Sequence, residues 1–102
     1  MNMTLEQLFE AVKDESLSLQ DIERYRDQMI HLHTRMQIEM ADIEKSEAIY
    51  FNEKTQPDVS DVSIKRIWRA TEKGQRQILL NRYLKAIAKE IDSLRSRVYR
   101  LV

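Results

Sequence analysis

The chain reads as all-α: a long antiparallel helical hairpin, coiled-coil-like, with a short N-terminal helix, completed into a helical bundle by oligomerisation. Three observations predict this class. Only one glycine and one proline occur in 102 residues, which leaves almost no turn material. Charged residues make up 33% and apolar residues 42%, the profile of long, surface-rich helices rather than of strands. Apolar residues also recur at alternating spacings of three and four over most of the length, which is the period of a helix seam.

The first element follows from its cap. Thr4 and Gln7 form a capping-box pair, in which each side chain satisfies a backbone N–H that the first helical turn leaves open. Leu5, Leu8, Phe9 and Val12 then share a face, which predicts a helix over about 5–14. Ser18 with Asp21 repeats the cap less completely. Beyond it Ile22, Tyr25, Met29, Leu32, Met36, Ile43 and Tyr50 keep the seam spacing, predicting a second helix over about 19–53. The segment FNEKTQPDVSD ends it, because Pro57 disfavours helical geometry at Gln56, and Asp58 is placed to cap the next helix.

A third helix is expected over about 59–101. Its length nearly matches the second, so a tight connection at Pro57 lays the two antiparallel for roughly 50 Å at 1.5 Å per residue. Leu80, Leu84, Ile87, Ile91, Leu94, Val98 and Leu101 form its C-terminal seam, the end of which should meet Leu5, Leu8 and Val12. The first part differs. Ile64, Ile67, Trp68, Thr71 and Ile78 lie on one side, and Lys65, Arg69, Lys73 and Arg76 on the side that later becomes apolar. At 100° per residue the two faces exchange near residues 76–80, so the helix is expected to be continuous or kinked near 74–80, the alternative being a break at Gly74, which could end one helix after Lys73 as its C′ residue. Opposite this level Glu39 and Ser46 interrupt the seam of the second helix, and Glu39 should fall near Arg76. That polar layer is either a solvent-accessible ion pair or a register-setting or hinge layer.

Charge is zero overall and uneven along the chain. Residues 1–61 carry six Lys+Arg and 14 Asp+Glu, net −8, while residues 62–102 carry 11 and three, net +8. Either the halves neutralise one another as paired helices, or they present charge to partners. A second, thinner apolar stripe lies off the main seam at Ile30, Ile38, Met40, Ile49, Leu79 and Tyr83. Two helices cannot cover it: either the first helix does so within a monomeric three-helix bundle, or copies join into a four-helix bundle or larger ring, in which case these six residues are the candidate oligomer interface. A homo-oligomer, dimer or higher, is expected.

Signals for chemistry are sparse. There is no cysteine, hence no disulfide framework, thiolate metal site or cysteine nucleophile, which fits a reducing compartment. His31 and His33 are two apart on a helix, point to nearly opposite sides, and cannot share a metal. Glu39, Asp42, Glu44 and Glu47 lack the Glu-x-x-His partners of di-metal bundles. One glycine cannot build a phosphate loop. The chain is therefore expected to be no enzyme, to need no cofactor or metal, and to be cytoplasmic. Membranes are not expected as partners, because the amphipathic stripe changes face midway. The expected role is non-catalytic assembly with a protein partner.

The alternative is nucleic acid. Lys65, Arg66, Arg69, Lys73 and Arg76 form the candidate basic row, with Trp68 as either a stacking ring or a core residue, and such a row can track phosphates with little base preference. An early helix containing LEQL, a middle helix ending in Tyr50 and Phe51, and the stretch IDSLRSRV resemble the small phage recombination mediators of the UvsY family. The resemblance implies a helical, oligomerising phage protein acting on single-stranded DNA, and it assigns no individual site residue.

Overall fold

The computed structural model describes residues 3–102, and among them every regular element is a helix. The order is α1 (Leu5–Ala11), α2 (Leu19–Lys54), α3 (Asp61–Ala70) and α4 (Glu72–Leu101). The chain divides into two compact units. One is built from the described residues up to Arg35 with Leu84–Val102, the other from Met36–Tyr83.

In the first unit the capping box forms in full: Gln7 N–H donates to Thr4 Oγ1 at 3.2 Å, and Thr4 N–H to Gln7 Oε1 at 2.8 Å. Helix α1 is shorter than the expected 5–14. The chain leaves it at Val12, and the Asp14 carboxylate then accepts from both the backbone N–H (2.8 Å) and the hydroxyl (2.6 Å) of Ser16. Those bonds hold the Asp14 carboxyl below its ordinary pKa. Arg97 of α4 donates to the carbonyls of Val12 (2.7 Å), the C-cap of α1, and Asp14 (2.6 Å), in the connection that follows it. The core holds Leu5, Leu8, Val12, Ile22, Met29, Ile87 and Leu94. Leu5, Leu8 and Val12 of α1 and Ile87 and Leu94 of the α4 seam are thus all buried in this unit, whereas Leu101 is exposed.

In the second unit three helical segments pack together. Ile43, Trp68 and Leu80 form its buried cluster, with Met36, Met40, Tyr50 and Phe51 against it. Glu39 pairs with Arg76 and Ser46 with Lys73, so this stretch of α2 runs antiparallel to the start of α4. Helix α3 begins at Asp61 rather than Val59, and its cap is Ser60 instead of Asp58: Ser60 Oγ accepts from Ser63 N–H at 3.2 Å.

The helix expected over 59–101 is two helices, and the interruption falls at Thr71, ahead of the 74–80 stretch. Thr71 is extended (φ −74°, ψ 160°) and serves both neighbours. Its backbone N–H and its hydroxyl donate to the Trp68 carbonyl at 3.0 and 2.6 Å, closing α3. The same hydroxyl accepts from Gly74 N–H at 3.0 Å, opening α4 as an N-cap. Gln75 Nε2 donates to the Arg69 carbonyl at 2.6 Å. Gly74 has no positive φ and is not the C′ residue that its position suggests. Its role is steric: a Cβ there would run into the Trp68 carbonyl oxygen and lie 2.8 Å from the Trp68 carbonyl carbon and 2.9 Å from Arg69 Cα. The glycine lets α4 start directly against the end of α3.

Candidate interaction surfaces

The corner at Thr71 reorganises the basic row. Arg76 is taken up by α2: its Nε and Nη2 donate to the two Glu39 carboxylate oxygens at 2.6 and 3.0 Å. The hydrogen bonds from Arg76 lower the Glu39 pKa from its ordinary value, and the same contact raises that of Arg76. Lys73 Nζ donates to Ser46 Oγ at 3.1 Å. Lys65, Arg66 and Arg69 remain exposed on α3 and make no ion pair among the described residues. The five candidates are therefore not one surface. Three stand on the solvent side of α3, and two hold α4 to α2.

Trp68 is core and not a stacking platform. It is 3% exposed, its ring lies 5.4 Å from that of Tyr50, and its Nε1–H donates to Gln77 Oε1 at 2.7 Å. Gln77 Nε2 in turn donates to Glu47 Oε1 at 3.1 Å, so one side chain of each helical segment joins a short relay. This relay satisfies the indole N–H, which burial would otherwise leave unpaired. Seam spacing gives no sign of it, because Gln77 and Glu47 look like surface residues in a linear pattern.

The second apolar stripe divides too. In the second unit Ile38 (61%) and Ile49 (52%) are strongly exposed on α2, and Leu79 is exposed on α4. Met40 and Tyr83 are half-buried, Met40 against the Ile43–Trp68–Leu80 cluster. In the first unit Ile30 is exposed. Two residues outside the candidate set are as open as these: Val62 (68%) and Ile67 (57%) on α3. The linear pattern groups Ile67 with Ile64 and Trp68, but α3 is a separate helix whose buried line is Ile64 and Trp68 alone, which turns Ile67 outward. Shallow clefts adjoin both ends of α3. One is floored by Ala48, Phe51 and Val62 and rimmed by Glu44, Glu47 and Asp61; the other lies between Ile49, Tyr50, Trp68 and Lys73.

Among the described residues no group of three or more histidines and carboxylates could hold a metal ion, and no helix is long and apolar enough to cross a membrane. His31 is exposed and His33 half-buried. Among the described residues the chain is all-α, with exposed apolar positions on α2, α3 and α4 and three exposed cations on α3. Compared with protein-family models, curated proteins and solved structures, the chain matches none.

Proposed function

We propose that this chain is a non-catalytic helical assembly protein: a single domain in which α2 and α4 pair as a hairpin, with copies joined through apolar positions that the fold leaves open. The resulting bundle presents charged surface to a macromolecular protein partner. The observation that carries this reading is the exposure of Ile38 and Ile49, each more than half accessible on one helix. Single exposed apolar residues are normal on a protein surface, but these two lie on one face of α2, where one further helix could cover both. Two hairpins placed face to face would make a four-helix bundle. A chain without cysteine suits a reducing compartment such as the cytoplasm. Light scattering on the chain at about 200 µM tests the proposal. At least twice the 12.2 kDa of one chain is expected, and the mass of one chain overturns it.

The three unpaired cations on α3 favour a second reading, in which Lys65, Arg66 and Arg69 bind a single-stranded nucleic acid as a phage recombination mediator would. Three phosphate contacts imply that affinity falls about 20-fold when salt rises about fourfold. Anisotropy of a labelled oligonucleotide at about 50 and 200 mM salt tests this, with all three residues changed to alanine as the control. Absence of binding at the lower salt removes the reading.

A further inference from the structure

The outward face of α2 in the second unit has a symmetry that its buried face lacks. Ile38, Asp42, Lys45 and Ile49 are all exposed and stand at spacings of four, three and four. At 100° per residue they fall within about 60° of arc, so they make one ridge along the helix. The buried side is elsewhere: Ile43 is in the core, and Met36, Met40 and Tyr50 pack beside it. Ala41 and Ala48, both exposed, line one flank of the ridge and add little bulk to it; Glu39 and Ser46, which hold α4, lie on the other.

In the reverse direction the ridge keeps its spacing and exchanges its charges: Ile, Lys, Asp, Ile. A two-fold axis between residues 43 and 44 therefore sets Ile38 across from Ile49 of a second copy, and Asp42 across from its Lys45. The same two contacts recur on the other side of the axis. This is the condition for an isologous interface, in which residue i meets residue j and j meets i. Antiparallel helices paired on such a ridge bury their apolar ends and put opposite charges together in the middle, where charge pairs fix register and orientation.

We propose that α2 is the self-association helix of this protein, pairing antiparallel with α2 of a second copy in the register Ile38–Ile49 and Asp42–Lys45. The occupant is a second copy because the stripe is complementary to itself, a property that docking of an unrelated partner does not require. This rests on the self-association put forward above and adds the surface, the symmetry and the register.

Charge exchange tests it. Asp42→Lys places lysines on both sides of the axis, and Lys45→Asp places aspartates there. Each single variant should lose self-association by about tenfold or more in dissociation constant, while far-UV circular dichroism keeps its helical signal, since both positions are exposed. Mixed one to one, the two variants should associate again, because every contact across the axis is then of opposite sign. The double variant Asp42→Lys/Lys45→Asp should associate as the wild type does. A wild type that self-associates with variants and mixture unchanged overturns the α2 register and leaves assembly standing on another face. A wild type that stays at one-chain mass at about 200 µM overturns the assembly proposal, and this inference with it.

Discussion

The two units reach stability by different means. The first is a seam: Leu8, Ile22, Met29, Ile87 and Leu94 are buried with no polar partner to satisfy, and Arg97 ties the end of α1 to α4 through two backbone carbonyls. The second has three buried apolar residues in its cluster, and its segments are fastened by the Trp68–Gln77–Glu47 relay, the Arg76–Glu39 pair and the Lys73–Ser46 bond. Non-directional burial tolerates exchange of one apolar residue for another of similar volume. A hydrogen-bonded corner does not, because each removed group strands its partner. The first unit should therefore respond to lost volume and the second to lost geometry.

The largest effects test this contrast directly. Trp68→Ala should cost about 3–5 kcal/mol, since it empties the centre of the smaller cluster and leaves Gln77 without its donor. In the first unit Leu94→Ala should cost about 2–5 kcal/mol and Leu94→Met under about 1.5. Urea titrations followed by circular dichroism give these differences. Trp68 is the only tryptophan, so its fluorescence in the Leu94 variants reports the second unit alone. Equal costs for Leu94→Met and Leu94→Ala would mean that the seam, too, depends on shape.

Gly74→Ala separates the units more sharply. Elsewhere in a helix this exchange is favourable by up to about 1 kcal/mol, because glycine is the poorer helix former. Here the new methyl would strike the Trp68 carbonyl, which is backbone and cannot rotate away. A loss of about 1–3 kcal/mol is expected instead, read as a lower urea midpoint, with faster amide hydrogen exchange concentrated in residues 61–83. A stabilised variant would mean that α3 and α4 do not meet at the Thr71 corner.

Legibility in the sequence divides along the same line. The seam residues, the α1 cap and the proximity of Glu39 to Arg76 can all be read, because a repeat of three and four defines a face without knowledge of any partner. The corner cannot. Its main signal, the exchange of apolar and basic faces, is visible, but it falls near residues 76–80 and points to a continuous or kinked helix, or to an end at Gly74, and not to an interruption at Thr71. Thr71 ends one helix and starts the next through a single hydroxyl, a double role that propensity does not encode. Periodicity assigns Ile67 to the buried side and gives Val62 no role, for the same reason: α3 as a separate helix turns on its own axis. The basic row is a row only if that helix is continuous.

The smallest expected effect sharpens the contrast at the polar layer. The Glu39 pKa is lowered by the hydrogen bonds from Arg76, so the pair contributes stability above the unfolded carboxyl value, about 4.3, and loses it as pH falls through the lower folded value. Both side chains are more than two-fifths exposed, which limits the contribution to about 1 kcal/mol or less. Glu39→Gln should therefore be less stable than the wild type by up to about 1 kcal/mol at pH 7 and indistinguishable from it near pH 2. The difference between the two proteins at each pH removes what every other carboxylate contributes. Arg76→Lys should lose part of the same increment, because an ammonium cannot reproduce the two-pronged contact at 2.6 and 3.0 Å. If Glu39→Gln is equally stable at both pH values while Arg76→Lys is not, the guanidinium serves the layer through packing of its stem, and the second unit is closer to the first in kind than its hydrogen bonds suggest.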